Sequence, residues 1–395
     1  RDEVVEAGGV GRVQLSPAGH RRDAVKPALA ARGTGAGRTG AGGGRDMTLH
    51  QQPLVAAPDP VLGREVLVVV PALNEARGIA ACLRSLLTGD PRLAEVDVVV
   101  ADGGSRDATR RIVTAMTAEF PRLRLLDNPH RLQSAGINRA VTEAARPRHR
   151  ILVRADAHAV YPPGYAMALA DRLAALQVAS VVVPMDSRGQ GCFQRAAAWI
   201  VDTPLGSGGS AHRGGRRSAE VDHGHHAAMD LDWFRRIGGY DASFSHNEDA
   251  ELDHRLRAAG GRIWLAADLR LDYQMRASVG ALARQYWNYG RGRARTVCKH
   301  ALRPRLRQIA PAVNLVLLLA GAALALTGAL AGNAALVMAG AIWPVLYAAI
   351  LAAASVWMAL RHRSLCGLGA GVALAAMHLP WGAGFLSGLF KDDRP

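Results

Sequence analysis

Between residues 66 and 271 the chain alternates short apolar runs with stretches whose apolar positions recur every three or four residues. Val66-Leu67-Val68-Val69-Val70 reads as a buried strand, and Ile79, Leu83, Leu86 and Leu87 share one face of the helix that follows. Residues 96–101 form a second strand that ends at Asp102-Gly103-Gly104-Ser105, and residues 106–120 a helix with Ile112, Val113 and Met116 apolar. Residues 123–126 make a short strand, 134–145 a helix, and 151–156 a further strand. Such alternation predicts an α/β domain, a mainly parallel sheet covered by helices. Ligands of these sheets bind beyond the carboxyl ends of the strands. Those ends carry Asn74, Glu75, Asp102 and Asp156. No GxGxxG follows residues 66–70, so a dinucleotide-dependent oxidoreductase is excluded.

The pattern changes from residue 309 onward. Residues 309–332, 335–357 and 366–390 are long apolar stretches, each near the roughly 20 residues a helix needs to span a bilayer. The third contains His378, Pro380 and Trp381, which suggests a kink or a partly interfacial position. Three core helices of a soluble protein are the weaker reading. Arg303, Arg305 and Arg307 precede the first stretch, and Arg361 and Arg363 follow the second, which places the large domain and the second loop on the cytoplasmic side of an inner membrane. Residues 1–62 are rich in Gly, Ala and Arg without periodicity and are expected to be disordered. No secretory signal is expected there. Met47 is a natural start, with residues 1–46 as upstream translation or an added extension. The expected organisation is an extension over 1–62, a catalytic domain over 63–275, an amphipathic segment over 276–308 and about three membrane helices over 309–390.

Charge and cysteines narrow the partners. Lys and Arg number 48 against 33 Asp and Glu, a net charge of +15, which admits nucleic acid, an anionic membrane surface or phosphorylated substrates. No nucleic-acid motif is present. Cys82, Cys192, Cys298 and Cys366 are widely spaced, so neither a disulfide framework nor a zinc–thiolate site is indicated, and a reducing compartment fits.

Several short motifs carry candidate chemistry. Pro71-Ala72-Leu73-Asn74-Glu75 and Asp102-Gly103-Gly104-Ser105-Arg106-Asp107 close successive strands, where glycine lets the backbone approach a ligand. Ser105 or Asp107 serves equally as a helix cap. Asp156 and His158, two apart in an extended segment, point the same way. They can converge on a divalent cation whose shell diphosphate oxygens complete, Mg²⁺ or, accepting imidazole, Mn²⁺. A solvated strand-end histidine is the plainer alternative. Glu248-Asp249 in His246-Asn247-Glu248-Asp249-Ala250-Glu251-Leu252 can activate a hydroxyl, bind a metal or cap a helix.

These motifs, with Ser134-Ala135-Gly136-Ile137-Asn138-Arg139-Ala140, stand in the order found in family 2 glycosyltransferases. The set most resembles the succinoglycan-biosynthesis subgroup, which has Arg-x-Asp-Ala-His and a hydrophobic carboxyl-terminal tail. The resemblance spans residues 66–295 and, in outline, the tail. It implies a GT-A fold, a nucleotide-diphosphate sugar donor, a UDP-sugar and by resemblance UDP-glucose, and inverting transfer. By position, Pro71, Ala72 and Glu75 line the nucleoside, and Asp102 with Gly103 meets the base. Asp156 lies by ribose and metal. Arg131 and Arg139 are candidates for the diphosphate. His158 replaces an Asp that many relatives place in the metal motif, which leaves the cation, Mn²⁺ or Mg²⁺, open.

Asp249 matches the family's catalytic base. A sugar hydroxyl is a poor nucleophile and needs a carboxylate to accept its proton. Attack opposite the diphosphate inverts the anomeric carbon, and Glu248 is expected to orient Asp249 or the acceptor.

Two further regions bear on the acceptor. The segment 203–220 is rich in Gly and Arg, a gated loop or a surface insert. His223, His225 and His226 follow it without the ligand spacing of a zinc site, and His225 and His226 are expected in the acceptor wall. Gln285, Trp287 and Tyr289 fall in a segment that lies near the acceptor in relatives. Asn288 replaces the Arg of processive members, which disfavours processive synthesis. The alternative is an interfacial helix with no acceptor role. The expected acceptor is a lipid-linked saccharide of surface polysaccharide synthesis, with membrane lipids as partners and no nucleic acid. Direct transfer to a polyprenyl phosphate and a non-catalytic nucleotide-binding scaffold are the alternatives.

Overall fold

A computed structural model of the chain describes residues 59–210 and 213–390, the side chain of His226 excepted. The start at Met47 and the expected disorder over residues 1–58 lie outside the described residues. Over residues 59–62, also expected to be disordered, Val61 is buried and its amide donates to Asp171 Oδ1 at 3.2 Å.

The amino-terminal half alternates strand and helix: β1 (Val66–Ala72), α1 (Ile79–Leu86), β2 (Asp97–Asp102), α2 (Thr109–Met116), β3 (Leu123–Asp127), α3 (Gln133–Ala144) and β4 (Ile151–Arg154). Then come α4 (Tyr165–Leu176), β5 (Ser180–Val183), β6 (Met185–Arg188), α5 (Cys192–Val201), α6 (Pro204–Ser207), β7 (Ala219–Glu220) and β8 (His225–Asp230). The domain closes with α7 (Leu231–Arg236), α8 (Glu248–Ala258), β9 (Ile263–Leu265) and β10 (Leu271–Gln274).

The main sheet has the order β3-β2-β1-β4-β8-β5-β9-β7, and β10 pairs with β6 in a separate ribbon. β1, β2, β3 and β4 pair in parallel, while β8 runs antiparallel between β4 and β5. Strands buried on both faces need unbroken apolar runs, and Val66 to Val70 and Val98 to Ala101 are such runs, each residue almost wholly buried. One face packs on α1, α2 and α4 through Ile79, Leu83, Val113 and Leu169. The other packs on α3, α7 and α8 through Ile137, Leu231 and Leu252.

The remaining helices are α9 (Val279–Lys299), α10 (Leu306–Leu330), α11 (Ala334–Arg361) and α12 (Ala370–Phe390). Three spans, Leu306–Leu330, Ala334–Arg361 and Leu365–Phe390, are long and apolar enough to cross a membrane. They differ in surroundings: the first two are 6% buried within the protein and the third 50%. α12 runs unbroken through Pro380. Its inner face shares one apolar cluster with Ile200 and Val201 of α5, Leu282 of α9 and Met358 of α11.

Glycines set the α9–α12 spacing. A Cβ on Gly290 would lie 2.3 Å from the Trp381 carbonyl oxygen, and one on Gly384 2.2 Å from that of Trp287. Small residues let apolar helices approach this closely. α9 is therefore clamped between the domain and α12.

One expectation is overturned here. Cys192 and Cys366, distant in sequence, form a disulfide with Cα atoms 4.9 Å apart. Packing of α5 against the turn before α12 brings them together, and His362 stacks on Trp199 at 4.2 Å beside them. Sequence spacing cannot report a contact made by docking two distant segments.

Candidate active site

The first two strand-end loops are tied to each other. The Asn74 amide donates to Ser105 Oγ at 2.8 Å, and the Arg106 amide donates back to Asn74 Oδ1 at 2.8 Å. Glu75 N–H donates to Thr109 Oγ1 and Ala76 N–H to Asp107 Oδ2, at 2.8 and 3.0 Å. Asp107 also accepts from the Thr109 amide at 2.9 Å, so it is the cap of α2. Asn74 sits at φ +57°, a left-handed conformation asparagine tolerates.

Asp102 ends β2, fully buried. Its Oδ2 accepts from the amides of Gly104 and Ser105 at 3.1 and 3.0 Å and from Arg110 Nη1 at 2.9 Å. Its Oδ1 is buried with no hydrogen-bond partner in the structure. A buried acceptor without a donor is costly, and a ligand N–H would satisfy it. Beside it, the Cα of Arg131 lies 3.4 Å and the Ala72 oxygen 3.5 Å from where a Gly103 Cβ would stand. Pro71, Ala72, Gly103, Asp102 and Arg131 thus gather at the carboxyl ends of β1 and β2. Arg139 does not join them by any described contact. Its guanidinium pairs with Glu143 at 2.6 Å, one turn along α3.

β4 stops at Arg154, and Asp156 to His158 form a turn closed by the Ala159 amide on the Asp156 oxygen at 3.1 Å. The strand alternation expected to aim Asp156 and His158 together therefore does not apply. Asp156 faces His225, Nε2 to Oδ2 at 3.4 Å, whereas His158 Nδ1 faces Glu75 Oε1 at 3.4 Å. The Glu75 contact raises the His158 pKa against burial. Among the described residues no group of three or more His, Cys, Asp or Glu is arranged to hold a metal ion. The donor chemistry still fits a cation bound through one carboxylate, Asp156, and substrate oxygens, the usual mode for Mg²⁺.

Asp249 lies in the first turn of α8, behind Asn247 at φ +66°. Its Oδ1 is paired with Nη1 of the buried Arg154 and accepts from Tyr240 Oη at 3.1 Å. Arg154 Nη2 also stands 3.6 Å from Asp156 Oδ1. His225 Nδ1 is 4.0 Å from Asp249 Oδ2. Arg154 and His225 thus both stand between Asp156 and Asp249. Burial opposes ionisation of Asp156, yet His225 and then Arg154 hold its carboxyl well below the usual range. Glu248, half-buried, is pushed up to about 7, by burial first and by the Asp249 charge second.

The acidic turn divides its labour. Glu251 is fully buried and pairs with Arg255 at 2.7 Å, Lys299 at 2.6 Å and His300 at 2.9 Å, tying α8 to the end of α9. His223, expected beside the acceptor wall, bonds Asp253 at 2.6 Å. His225 belongs to the centre, and the His226 side chain lies outside the described residues. On α9, Gln285 Nε2 donates to the hydroxyls of Tyr273 and Tyr289 at 2.7 and 2.9 Å. Asn288 Nδ2 meets His246 Nε2 at 3.3 Å. Trp287 contributes its backbone to the α12 contact.

Sequence reading did not assign roles to Arg154 and Tyr240. The signal for Arg154 was present: a charged residue that closes the apolar run Ile151-Leu152-Val153 needs a partner.

Residues 67–238 match the family model described as Glycosyl transferase family 2. The chain is 44% identical over 338 residues to the succinoglycan biosynthesis protein ExoA of Rhizobium meliloti (strain 1021), covering 85% of this chain and 98% of that protein. Among solved structures it is similar to the mannosyltransferase PcManGT from Pyrobaculum calidifontis in complex with GDP-Man and Mn²⁺, with TM-score 0.52, 21% identity and coverage of 87% of this chain and 92% of that one. That likeness confirms the GT-A fold. Sheet, site and relatives agree, and the chain belongs to the family 2 glycosyltransferases of the ExoA type.

Proposed function

We propose that the enzyme is an inverting transferase that moves a sugar from a nucleoside-diphosphate donor to a hydroxyl of a lipid-linked saccharide, as one step of surface polysaccharide synthesis. The 44% identical relative is a succinoglycan biosynthesis protein, which supports the pathway class. The observation that carries the chemistry is Asp249, held by Arg154 and Tyr240 through one oxygen, with its other oxygen on the His225 side. A carboxylate fixed in this way is oriented before the acceptor arrives, which is what a general base needs.

The donor is read as a UDP-sugar, with UDP-glucose favoured by resemblance. The buried Asp102 Oδ1 is suited to an N–H of the base. The solved neighbour was determined with GDP-Man and Mn²⁺, so the fold by itself does not select the base. A divalent cation at Asp156 would neutralise the leaving diphosphate. Arg131 is suited to the same charge from the Gly103 side.

The site is read as cytoplasmic, because Arg303, Arg305, Arg307, Arg361 and Arg363 flank the first two spans on the domain side. Anchoring then confines enzyme and acceptor to one surface and raises their effective concentration.

A panel of radiolabelled nucleotide sugars, given to membranes containing the protein and native lipid extract, tests this. Label should enter a lipid-extractable product with an anomeric configuration opposite to the donor's. Retained configuration, or no lipid product from any donor, defeats the reading.

A further inference from the structure

A second polar cluster lies where the domain meets the membrane helices. Arg213 bridges to β6 at Met185, and its guanidinium carbon sits 4.4 Å from the centre of the Tyr273 ring. Its Nη1 is buried and has no hydrogen-bond partner among the described residues. The charge of Arg213 acts on Tyr273, Tyr289 and Tyr286. Arg276, exposed, acts on Tyr273 and Tyr289 as well, and also on His158 and His246 of the catalytic centre.

The balance of this cluster is cationic and rich in donors. Both Nε2 protons of Gln285 are spent on the two tyrosine hydroxyls. The acid facing Arg213 is Asp202, which already accepts from Ser187 Oγ at 2.9 Å and which burial shifts toward its neutral form. Burial raises the Tyr273 phenol, but Arg213 and then Arg276 outweigh it and hold the group below its ordinary value. A buried guanidinium with an unused donor is costly unless an anion completes it. Planar guanidinium forks favour phosphate.

Location restricts the source of that anion. Tyr273 and Tyr286 pack on the cluster formed by Met275, Leu282, Ala373 and Met377, so the tyrosine rings rest on α12. His378 of α12 meets the Leu205 oxygen of α6 at 2.9 Å, just upstream of Arg213. The cluster thus rests against a helix long and apolar enough to cross a membrane, which favours an anion attached to a lipid.

We propose that Arg213, with the exposed Arg276 three residues beyond Tyr273 and the Tyr273 hydroxyl as a further donor, seats the phosphate or diphosphate of the lipid that carries the acceptor saccharide. This rests on the lipid-linked acceptor argued above. The seat holds the carrier, and Asp249 meets the sugar.

The test compares two acceptors bearing the same saccharide, one on a polyprenyl diphosphate and one on an uncharged alkyl chain, with full-length protein in phosphatidylcholine nanodiscs. Arg213→Gln should raise KM for the diphosphate-linked acceptor about 30-fold more than for the alkyl glycoside. Arg276→Gln, exposed and safe for folding, should shift the same ratio by a smaller factor. Equal rises on both acceptors, or a rise confined to the donor KM, overturn the seat.

A binding arm uses native mass spectrometry of the same nanodiscs doped with polyprenyl diphosphate, phosphatidylglycerol or soluble inorganic pyrophosphate. Wild type should retain polyprenyl diphosphate in preference to phosphatidylglycerol, and Arg213→Gln should lose that preference. Equal retention of phosphatidylglycerol makes it a bulk-headgroup site and overturns the carrier assignment. Pyrophosphate retained as well as the lipid, and lost in Arg213→Gln, makes it a soluble-diphosphate site and overturns it too. If wild type transfers sugar to neither acceptor, the function proposed above fails, while the binding arm still decides the seat.

Discussion

The proposed nucleotide side and the proposed acceptor side of this site are built differently. On the first, the loops after β1 and β2 satisfy each other through short side-chain-to-backbone bonds, among them Asn74 with Ser105 and Arg106, and Asp107 with Thr109 and Ala76. On the second, residues from α6, β10, α9 and α12 meet over long sequence separations, helices touch at glycine, and a buried guanidinium keeps an unused donor. A loop pair closed on itself is preorganised before substrate arrives. The proposed acceptor side is held by the three helices that are long and apolar enough to cross a membrane. On that proposal, these helices shape the acceptor site as well as anchoring it.

The sharpest way to probe the comparison is to strike the point where the two sides meet. Asp249→Asn keeps the shape and removes the base, so kcat should fall about 10³-fold. Donor KM should stay within about twofold, measured by steady-state transfer, because the nucleotide loops are untouched. Near-normal turnover would remove Asp249 from the role.

Next in size, Gly290→Leu should cost about 3 kcal/mol by forcing α9 off α12, since even a Cβ there meets the Trp381 oxygen at 2.3 Å. Ser105→Ala, on the nucleotide side, should cost about 1 kcal/mol for one hydrogen bond. Thermal unfolding in detergent reads both. Equal losses would mean that the two sides are not built differently.

The same contrast governs how much was legible in the sequence. β1 to β4 and the motifs at their ends were readable because buried parallel strands need continuous apolar runs and tight turns need Gly, Asn and Asp, which are local demands. The place of Asp249 followed from motif order. Three features were not readable. The Cys192–Cys366 pair depends on docking α5 against the α12 turn. The turn at Asp156 depends on where β4 loses its partner, since pairing with β1 ends at Arg154. His225 joins the centre because β8 runs antiparallel beside β4, a topology that residue spacing does not encode.

Glu248 offers a smaller effect with a definite sign. Its carboxyl goes from the ordinary 4.5 to about 7 in the folded protein, by burial and by the Asp249 charge. The folded state therefore holds a proton that the unfolded chain has released. Stability linked to this group is full below about pH 4.5, declines as pH rises to about 7 and is level beyond. Glu248→Gln abolishes the decline, so its advantage over wild type should grow from nil near pH 4.5 to about 2 kcal/mol above pH 7, the roughly 3 kcal/mol of the full shift reduced by solvent screening of a half-buried group. Melting curves across that range measure it, and a constant difference would refute the shift.

The finest test lies within the nucleotide side, between two arginines that the sequence left equivalent. Arg131 holds a left-handed backbone, φ +61°, with its Cα against the Gly103 loop. Arg139 is engaged with Glu143 on the surface of its own helix. A diphosphate at these strand ends draws on a guanidinium that can reach it, and a charged hydrogen bond lost there is worth about tenfold in affinity. Arg131→Ala should therefore raise the donor KM about tenfold. Arg139→Ala gives up an exposed helix pair worth less than about 0.5 kcal/mol, too little to move the donor KM more than about twofold. Donor KM values for the two variants decide between them. The reverse order would mean that α3 turns Arg139 toward the donor on binding, and that the nucleotide side is completed by its ligand just as the acceptor side is.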